Sequence, residues 1–274
     1  MQQSTAFART LTALGTDVQF VETSSGPGRV LIQTRKLPLI GSVHLITRAF
    51  GTADKAALMS GLRGLDLRGA VIVNTAAPHP RPPGYVRLAK PRDIALLPLG
   101  PEPTMRAALH QKWRNTLRRT EHTGLTCDIC TYDAEKHAWF ITAERAQQKA
   151  RGYRNWPLVF LSAFAAQNPG QAVVVTAHKD RHPIAAMLIL CHPPWATYHI
   201  GFTTPEGRQS AAHTAILWQA MIWLADRGFT MLDLGSLTGP PGLDRFKCRS
   251  GAMPQRLGGT WLRLPFKRGM SSVQ

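Results

Sequence analysis

Two basic segments of the sequence carry side chains suited to binding phosphate groups. Five Lys or Arg residues and one acidic residue lie between Met105 and His122. Seven Lys or Arg residues and one acidic residue lie between Asp244 and Arg268. In the first segment, apolar residues recur every four positions, which predicts a helix with its cations on the opposite side. Lys and Arg hold phosphate through charge-assisted hydrogen bonds. The predicted anion contact, for which a solvated helix face is the alternative, consists of Lys112, Arg114, Arg118 and Arg119.

The sequence lacks the common signatures of a hydrolase or a nucleotide-binding enzyme. It contains no G-x-S-x-G, no Walker A pattern and no H-E-x-x-H. Cys127 and Cys130 form one C-x-x-C pair without a second pair at comparable spacing, and on a strand the two side chains point to opposite faces. A cysteine nucleophile needs a histidine that is itself oriented by a third group, and the sequence shows no such histidine for Cys248. We therefore expect no metal site and no covalent enzyme intermediate.

The composition predicts a globular protein with a polyanionic partner. The 274 residues include 33 Lys and Arg against 16 Asp and Glu, a formal charge of +17, and 44% are hydrophobic. The apolar stretch Ile184–Cys191 is too short to cross a bilayer as a helix, and the first twenty residues show no secretory signal. We therefore expect a cytoplasmic protein that binds nucleic acid, an anionic membrane face or a phosphate-rich substrate.

The order of predicted elements indicates a mixed α/β layer in the second part of the chain. The first hundred residues are predicted to be rich in strands with one helix, and Pro98–Pro103 marks the expected domain edge, giving domains at 1–103 and 104–274. From Thr126 onward the elements are a strand to Tyr132, helices at Ala134–Arg151 and Pro157–Gln167, three strands between Ala172 and Gly201, an apolar helix at Ser210–Arg227, a strand at Thr230–Gly235, a short helix at Leu243–Lys247 and a strand at Gly259–Leu264.

Three motifs follow one another along this second part. The first motif is the basic helix, which ends at a glycine. The second is a buried helix followed by a strand that contains Asp, an apolar residue and Gly in succession. The third is a Phe-Lys pair with a glycine four residues after the lysine. Their residues are Lys112, Arg114, Leu117, Arg118, Arg119 and Gly124; Asp233, Leu234 and Gly235; and Phe246, Lys247 and Gly251. This ordered set resembles the FemAB-like branch of the GNAT acyltransferase superfamily, which includes the peptidoglycan-bridge peptidyltransferases.

The resemblance covers about Met105–Arg263 and implies both a fold and an activity. The implied fold is α/β, of the α+β kind, with a GNAT-like mixed sheet flanked by helices and two GNAT-like halves. Residues 1–103 are then a truncated N-terminal half, and residues 104–274 are the acyltransferase half. The implied activity is an N-acyltransferase that moves an acyl or aminoacyl group from an activated donor to an amine acceptor.

Two residues are predicted to be catalytic and others to bind substrate. In the peptidyltransferases that the chain resembles, the lysine matching Lys247 is implicated in stabilising charge at the transfer site or on the RNA end; a solvated surface lysine is the alternative. We predict that Asp233 accepts a proton from the incoming amine or orients it. The alternative is that Asp233 is a structural residue, whose carboxylate accepts hydrogen bonds from loop amides after the strand. The substrate-binding set adds Arg208, Phe246 and Tyr198 to the four cations of the basic helix.

The acyl donor stays open at this point between acyl-CoA and aminoacyl-tRNA, with no tightly bound cofactor expected. Many GNAT enzymes bind the CoA pyrophosphate with a Q/R-x-x-G-x-G/A loop at a helix N-terminus. The matching segment, Arg208–His213, begins with Arg but lacks both glycines. FemAB-like peptidyltransferases also lack these glycines and use aminoacyl-tRNA. The charge of +17 fits an RNA donor. It also fits an acceptor that is linked to a lipid diphosphate or to a nucleotide diphosphate, and a lipid-linked acceptor implies peripheral contact with the inner membrane face.

A second class of function rests on the same basic residues. The chain would then be a non-catalytic module that binds nucleic acid or an anionic membrane on a GNAT scaffold. Binding dominated by phosphate contacts weakens steeply with salt, whereas salt-insensitive binding of CoA favours an acetyltransferase.

Overall fold

A computed structural model of the chain describes residues 1–22, 28–39, 41–49, 55–237 and 241–265. The chain divides into two compact units: the larger unit, residues 93–255 with Met1, and the smaller unit, residues 2–92 and 256–274. The helices are α1 (Thr5–Ala13), α2 (Lys55–Gly64), α3 (Glu102–Ala108), α4 (Gln111–Thr120), α5 (Ala138–Arg151), α6 (Leu158–Gln167), α7 (Pro205–Gln209), α8 (Ala212–Ala225) and α9 (Pro241–Arg249). The strands are β1 (Asp17–Glu22), β2 (Arg29–Leu37), β3 (Gly41–Ala49), β4 (Ala70–Thr75), β5 (Val86–Ala89), β6 (Asp93–Pro98), β7 (Thr126–Thr131), β8 (Ala172–Lys179), β9 (His182–His192), β10 (Trp195–Thr203), β11 (Met231–Ser236), β12 (Met253–Arg256) and β13 (Thr260–Arg263).

The larger unit is built on a seven-stranded sheet in the order β12-β6-β11-β10-β9-β8-β7. The strand pairs from β7 to β10 and from β11 to β6 are antiparallel, while β10 and β11 run parallel. β9 is buried along almost its whole length, as expected for a central strand covered on both faces. This sheet carries the elements of the predicted GNAT-like layer.

Helices cover both faces of this sheet. α8 is apolar nearly all round and packs on β8 and β9, and α4 packs on α8. The core on this face includes Val173 and Val175. Val174 and Leu188 are also buried but lie outside that core. Because strand side chains alternate, we place Val174 on the other face, where α5 and α6 contact β10 and β8.

The basic helix predicted from Met105 consists of two helices. The backbone of Leu109 is extended (φ −64°, ψ 134°) and ends α3. α4 then begins after His110, whose Nδ1 accepts a hydrogen bond from the backbone N–H of Lys112 at 3.1 Å. The apolar row nevertheless keeps its spacing across the break. All four of its members, Met105, Leu109, Trp113 and Leu117, are buried at 4% exposure or less.

The smaller unit contains a six-stranded sheet in the order β1-β2-β3-β4-β13-β5. β3 and β4 pair in parallel, and β13 pairs antiparallel with both β4 and β5. Its core includes Ile32, Ile46, Leu58, Val73 and Trp261. The chain therefore enters the larger unit at Asp93, ahead of the expected edge at Pro98–Pro103, because β6 is a strand of the larger sheet. The assignment of 1–103 and 104–274 as two GNAT-like halves stays a prediction.

Among the described residues, none of the helices combines the length and the apolar character of a membrane-crossing segment.

Candidate active site

The parallel strands β10 and β11 separate inside the sheet of the larger unit. Within the described residues, their pairing extends from Trp195 opposite Met231 to Thr197 opposite Asp233. β10 continues to Thr203 along β9 with an irregularity after Tyr198. The pairing of β11 with β6 also becomes irregular after Asp233. The sheet therefore has an opening between the carboxyl-terminal ends of two parallel strands, which we call the strand opening.

A group of aromatic side chains from four elements lies beside the strand opening. The Tyr198 hydroxyl of β10 is 3.3 Å from Nε2 of His213 in α8, and Nδ1 of His213 is hydrogen-bonded to Oγ1 of Thr203 at 3.0 Å. The Phe246 ring of α9 lies 5.7 Å from the His213 ring and 6.1 Å from the Trp113 ring of α4, between centroids. Two predicted substrate-binding residues, Tyr198 and Phe246, are thus brought to one histidine.

The backbone at Gly201 allows this arrangement. A Cβ atom at that position would collide with the Tyr198 hydroxyl and the His213 ring. A side chain at this position would therefore displace the Tyr198 hydroxyl from its place beside His213. The Gly201 carbonyl accepts a hydrogen bond from Nε2 of Gln147 in α5 at 3.2 Å, which links the strand to the helix on the other face.

Burial keeps both ring groups neutral near pH 7. It lowers the pKa of His213 to about 4. Burial also raises the pKa of the Tyr198 hydroxyl, and the nearby Tyr153 and Glu144 raise it further. Tyr198 therefore carries its proton under physiological conditions and can donate it to an oxygen or sulfur in the strand opening.

The predicted catalytic lysine is buried at the end of β11. Lys247 is 7% exposed, and its Nζ donates a hydrogen bond to the Ser236 carbonyl at 2.8 Å. Burial lowers the pKa of the Lys247 ammonium, against the opposing effect of the Asp244 and Asp233 carboxylates and the Cys248 thiol. Lys247 is therefore no solvated surface residue; it fixes α9 to the strand that borders the opening.

Asp233 is the last residue of β11 that pairs with β10 and is 3% exposed. Its Oδ1 accepts a hydrogen bond from the backbone N–H of Gly235 at 2.8 Å. Gly235 has φ +78°, a conformation that favours glycine. This bond lies within β11 and shapes the end of the strand. A role of Asp233 in proton transfer stays a prediction.

The predicted anion contact on α4 is exposed at three of its four positions. Lys112, Arg118 and Arg119 face solvent. Arg114 is half-buried, and its Nη2 donates hydrogen bonds to the carbonyls of Leu109 at 2.9 Å and Ala107 at 3.2 Å. The Arg114 guanidinium therefore binds the end of α3, and three cations remain for a phosphate.

One residue in the segment before α8 has the backbone conformation that a glycine would adopt. Ala211, the N-cap of α8, has φ 54° and ψ 32°, the left-handed conformation that favours glycine. Arg208 is exposed, and its Nη1 donates to the Thr203 carbonyl at 2.7 Å. Helix geometry leaves the first two amides of α8, a helix of 14 residues, for an external acceptor, because the next two bond to the Ala211 carbonyl.

A cavity of about 660 Å³ lies on the face of the sheet that α5 and α6 cover. Its walls come from α5, the segment that joins α5 to α6, α6 itself and β10. β10 contributes His199 and Ile200, which lie in its irregular stretch next to Tyr198. We call this space the α5–α6 cavity.

Glu144 organises one wall of the α5–α6 cavity and is 2% exposed. Its Oε1 accepts hydrogen bonds from Nδ2 of Asn155 at 2.6 Å and from the Tyr153 hydroxyl at 3.2 Å. Its Oε2 accepts one from Nε2 of Gln148 at 2.6 Å. All three donors are uncharged, so the carboxylate holds the segment after α5 through hydrogen bonds.

Sequence analysis missed His199, His213 and Glu144. A signal existed for Glu144, because it follows Phe140 by four positions and Ile141 by three, on the apolar face of α5. An acid at such a position has to be paired or hydrogen-bonded when it is buried. The two histidines carry no comparable signal, because only the folded sheet brings them to the strand opening and the α5–α6 cavity.

The buried histidines predict a dependence of stability on pH. Burial lowers the pKa of both His199 and His213 from 6.5 to about 4. The unfolded chain therefore binds more protons than the folded one between these values, and stability falls as the pH decreases through this window. Each histidine accounts for up to about 3 kcal/mol of this loss. Urea unfolding at pH 7 and pH 4.5 should show a smaller loss for His199→Gln/His213→Gln than for wild type. An equal loss contradicts the expectation, and exposed His122→Gln is the control.

The fold and the site define an α/β protein in which the parallel strands β10 and β11 part within the sheet. A family model described as an acetyltransferase (GNAT) domain matches residues 107–247, just over half of the chain. The chain belongs to the GNAT acetyltransferase-domain family, and it is thereby a member of an acyltransferase family.

Solved structures share its fold at low sequence identity. FemX has a TM-score of 0.75 at 13% identity, with 96% of this chain and 92% of that chain covered. The C-terminal domain of a putative lysylphosphatidylglycerol synthetase from Agrobacterium fabrum has a TM-score of 0.55 at 13% identity, with 97% and 89% covered. A conserved protein of unknown function from Bacteroides thetaiotaomicron has a TM-score of 0.58 at 12% identity, with 97% and 91% covered. No curated protein matches the sequence. The FemAB-like GNAT fold predicted from the sequence is confirmed.

Proposed function

We propose that this chain is an N-acyltransferase that moves an acyl or aminoacyl group from a phosphate-bearing donor to an amine. The observation that carries the proposal is the strand opening, where β10 and β11 part after Thr197 and Asp233. The separated edges present backbone N–H and C=O groups to an extended donor, as a sheet edge does to an added strand. Membership of the GNAT family supports transfer of an acyl group.

Side chains around the strand opening suit the charge that develops in acyl transfer. The amine nitrogen attacks the acyl carbon, and negative charge moves first to the carbonyl oxygen and then to the leaving sulfur or oxygen. Tyr198 retains its proton and donates it to the leaving group. Lys247, fixed by the Ser236 carbonyl at 2.8 Å, adds positive charge where β11 ends. Groups that are held in place before reaction stabilise such charge without reorganising.

Acyl-CoA and aminoacyl-tRNA are the two donors that we propose. The amides at the start of α8 and the exposed Arg208 are the proposed contacts for the phosphates nearest the acyl group. The exposed cations Lys112, Arg118 and Arg119 lie on α4, which packs on α8. They are the proposed additional phosphate contacts for a longer donor such as tRNA. Arg114 is not part of this contact because it binds the backbone of α3.

A transfer assay with each donor tests the function. Purified protein is given acetyl-CoA or aminoacyl-tRNA separately with a panel of amines, and transfer is measured for wild type and Tyr198→Phe. Loss of the hydroxyl proton should lower kcat by about 100-fold, the usual contribution of a general acid. Tyr132→Phe, on a residue next to the end of β7 and outside the strand opening, is the matched control.

Two results contradict the proposal. One is that the protein transfers an acyl group from neither acetyl-CoA nor aminoacyl-tRNA. The other is transfer by Tyr198→Phe at the wild-type rate. Steeply salt-dependent RNA binding without transfer favours the non-catalytic alternative.

A further inference from the structure

Three side chains that together activate a thiol meet beside an edge strand of the larger sheet. Cys130 lies on β7, at one end of the strand order, and is half-buried. Nζ of the exposed Lys136 lies 3.4 Å from Sγ of Cys130, and Nε2 of the buried His137 lies 3.5 Å from the same sulfur. We call these three residues the Cys130 cluster. It combines a nucleophile, a base and a cation.

The turn after β7 fixes the ring of His137. Its Nδ1 lies 2.8 Å from the Asp133 carbonyl and 3.0 Å from the Asp133 backbone N–H, and the ring stacks on Tyr132 at 5.8 Å between centroids. When Nδ1 donates to the carbonyl, Nε2 is free to accept the thiol proton; when Nδ1 accepts from the N–H, Nε2 donates to the sulfur. Both tautomers favour negative charge on the sulfur. A base beside a nucleophile, oriented by a third group, is the usual arrangement of an activated nucleophile.

The charges around Cys130 also favour a thiolate. A lysine ammonium next to a cysteine sulfur stabilises the thiolate. Burial lowers the pKa of His137 despite its hydrogen bond to the Asp133 carbonyl, so the ring is neutral near pH 7 and able to take up a proton. The Asp133 carboxylate accepts hydrogen bonds from the backbone N–H groups of Glu135 at 2.9 Å and Lys136 at 2.7 Å. Its negative charge is thus held by the turn.

Cys127 is unsuited to form a disulfide with Cys130. The two residues are three apart on one strand, so their side chains point to opposite faces, and Cys127 packs against the core that α8 covers. Burial raises the pKa of the Cys127 thiol to about 11, and the Asp128 carboxylate acts in the same direction. A bond between the two sulfurs would require the backbone to move. An oxidised Cys130 therefore stays open to an external thiol.

We propose that Cys130 is a redox modification site, at which a hydroperoxide oxidises the thiol to a sulfenic acid. The sulfur attacks one peroxide oxygen while His137 takes the thiol proton. The S–O bond forms as the O–O bond breaks, the sulfur is oxidised by two electrons, and the leaving hydroxide takes the proton from His137 and becomes water. Because β8 and β9 separate β7 from β10, the site lies apart from the strand opening. The inference does not depend on the proposed function.

Competition between the cysteines of the reduced full chain tests this site. The protein is treated with hydrogen peroxide at pH 7, sulfenic acid is trapped with dimedone, and labelling of each cysteine is followed over time by mass spectrometry. A free thiol is only a few per cent ionised at pH 7, so full activation raises its rate by at most about 30-fold. We expect Cys130 to react about tenfold faster than Cys248, although Cys248 is the more exposed thiol.

Variants at exposed positions identify the cause of this difference. Lys136→Gln should slow the labelling of Cys130 by about fivefold, the upper range for one exposed ion pair, and Lys136→Arg should restore most of the rate. Lys149→Gln removes an exposed lysine of α5 and is the matched control. The labelling of Cys248 in each variant reports the peroxide dose.

Two results overturn the proposal. One is that Cys130 is labelled no faster than Cys248, so that reactivity follows exposure. The other is that Lys136→Gln leaves the labelling rate of Cys130 at the wild-type value.

Discussion

Lys247→Ala is expected to lower the transfer rate by about two orders of magnitude or more, the usual effect of removing one preorganised charge or donor. The ammonium is buried, and its hydrogen bond to the Ser236 carbonyl holds it at the end of β11. Without it, the charge that develops in the strand opening loses a fixed cation. The measurement is the single-turnover rate at saturating donor.

A second variant separates charge from packing. Lys247→Met keeps the buried apolar stem and removes the charge, so it should be as slow as Lys247→Ala while unfolding in urea closer to wild type. Lys136→Ala removes an exposed lysine and should leave the rate unchanged. A wild-type rate in folded Lys247→Met contradicts the catalytic role of Lys247.

Glu144→Ala is expected to lower the free energy of unfolding by about 3 kcal/mol, because three half-buried donors lose a buried carboxylate acceptor. Those donors are Gln148, Tyr153 and Asn155, and all three line the α5–α6 cavity. Urea unfolding at pH 7 measures the change.

Two variants bracket this effect. Glu144→Gln keeps the shape and one acceptor oxygen, so it should lose less stability than Glu144→Ala. Glu135→Ala, at an exposed acid, should change stability by less than about 0.5 kcal/mol. If Glu144→Ala is as stable as wild type, the network does not hold the cavity wall.

The sequence predicted features that local patterns determine. The four-residue row from Met105 to Leu117 is buried as expected, and the apolar helix α8 lies where its composition placed it. The break at Leu109 was missed because the row continues across it without a change in spacing. No Gly or Pro marks the break, and the hydrogen bond from Lys112 N–H to His110 forms only in the folded loop.

The candidate site was predicted less completely, for a physical reason. Tyr198, Phe246 and Lys247 were predicted as site residues, the last two by resemblance, and the structure places them on elements that border the strand opening. The burial of Lys247 and the pairing of Tyr198 with His213 depend on contacts between residues far apart in the chain. The strand opening itself is a property of strand pairing, which no local spacing records.

The central claim is that the acyl donor lies between β10 and β11. Hydrogen–deuterium exchange of the backbone amides, with and without a saturating donor, tests it most directly. Acetyl-CoA and a non-hydrolysable aminoacyl-tRNA analogue are used separately. We expect slower exchange at residues 198–203 and 234–236 with the true donor. Donor binding that slows exchange elsewhere in the chain and leaves these two segments unchanged contradicts the claim.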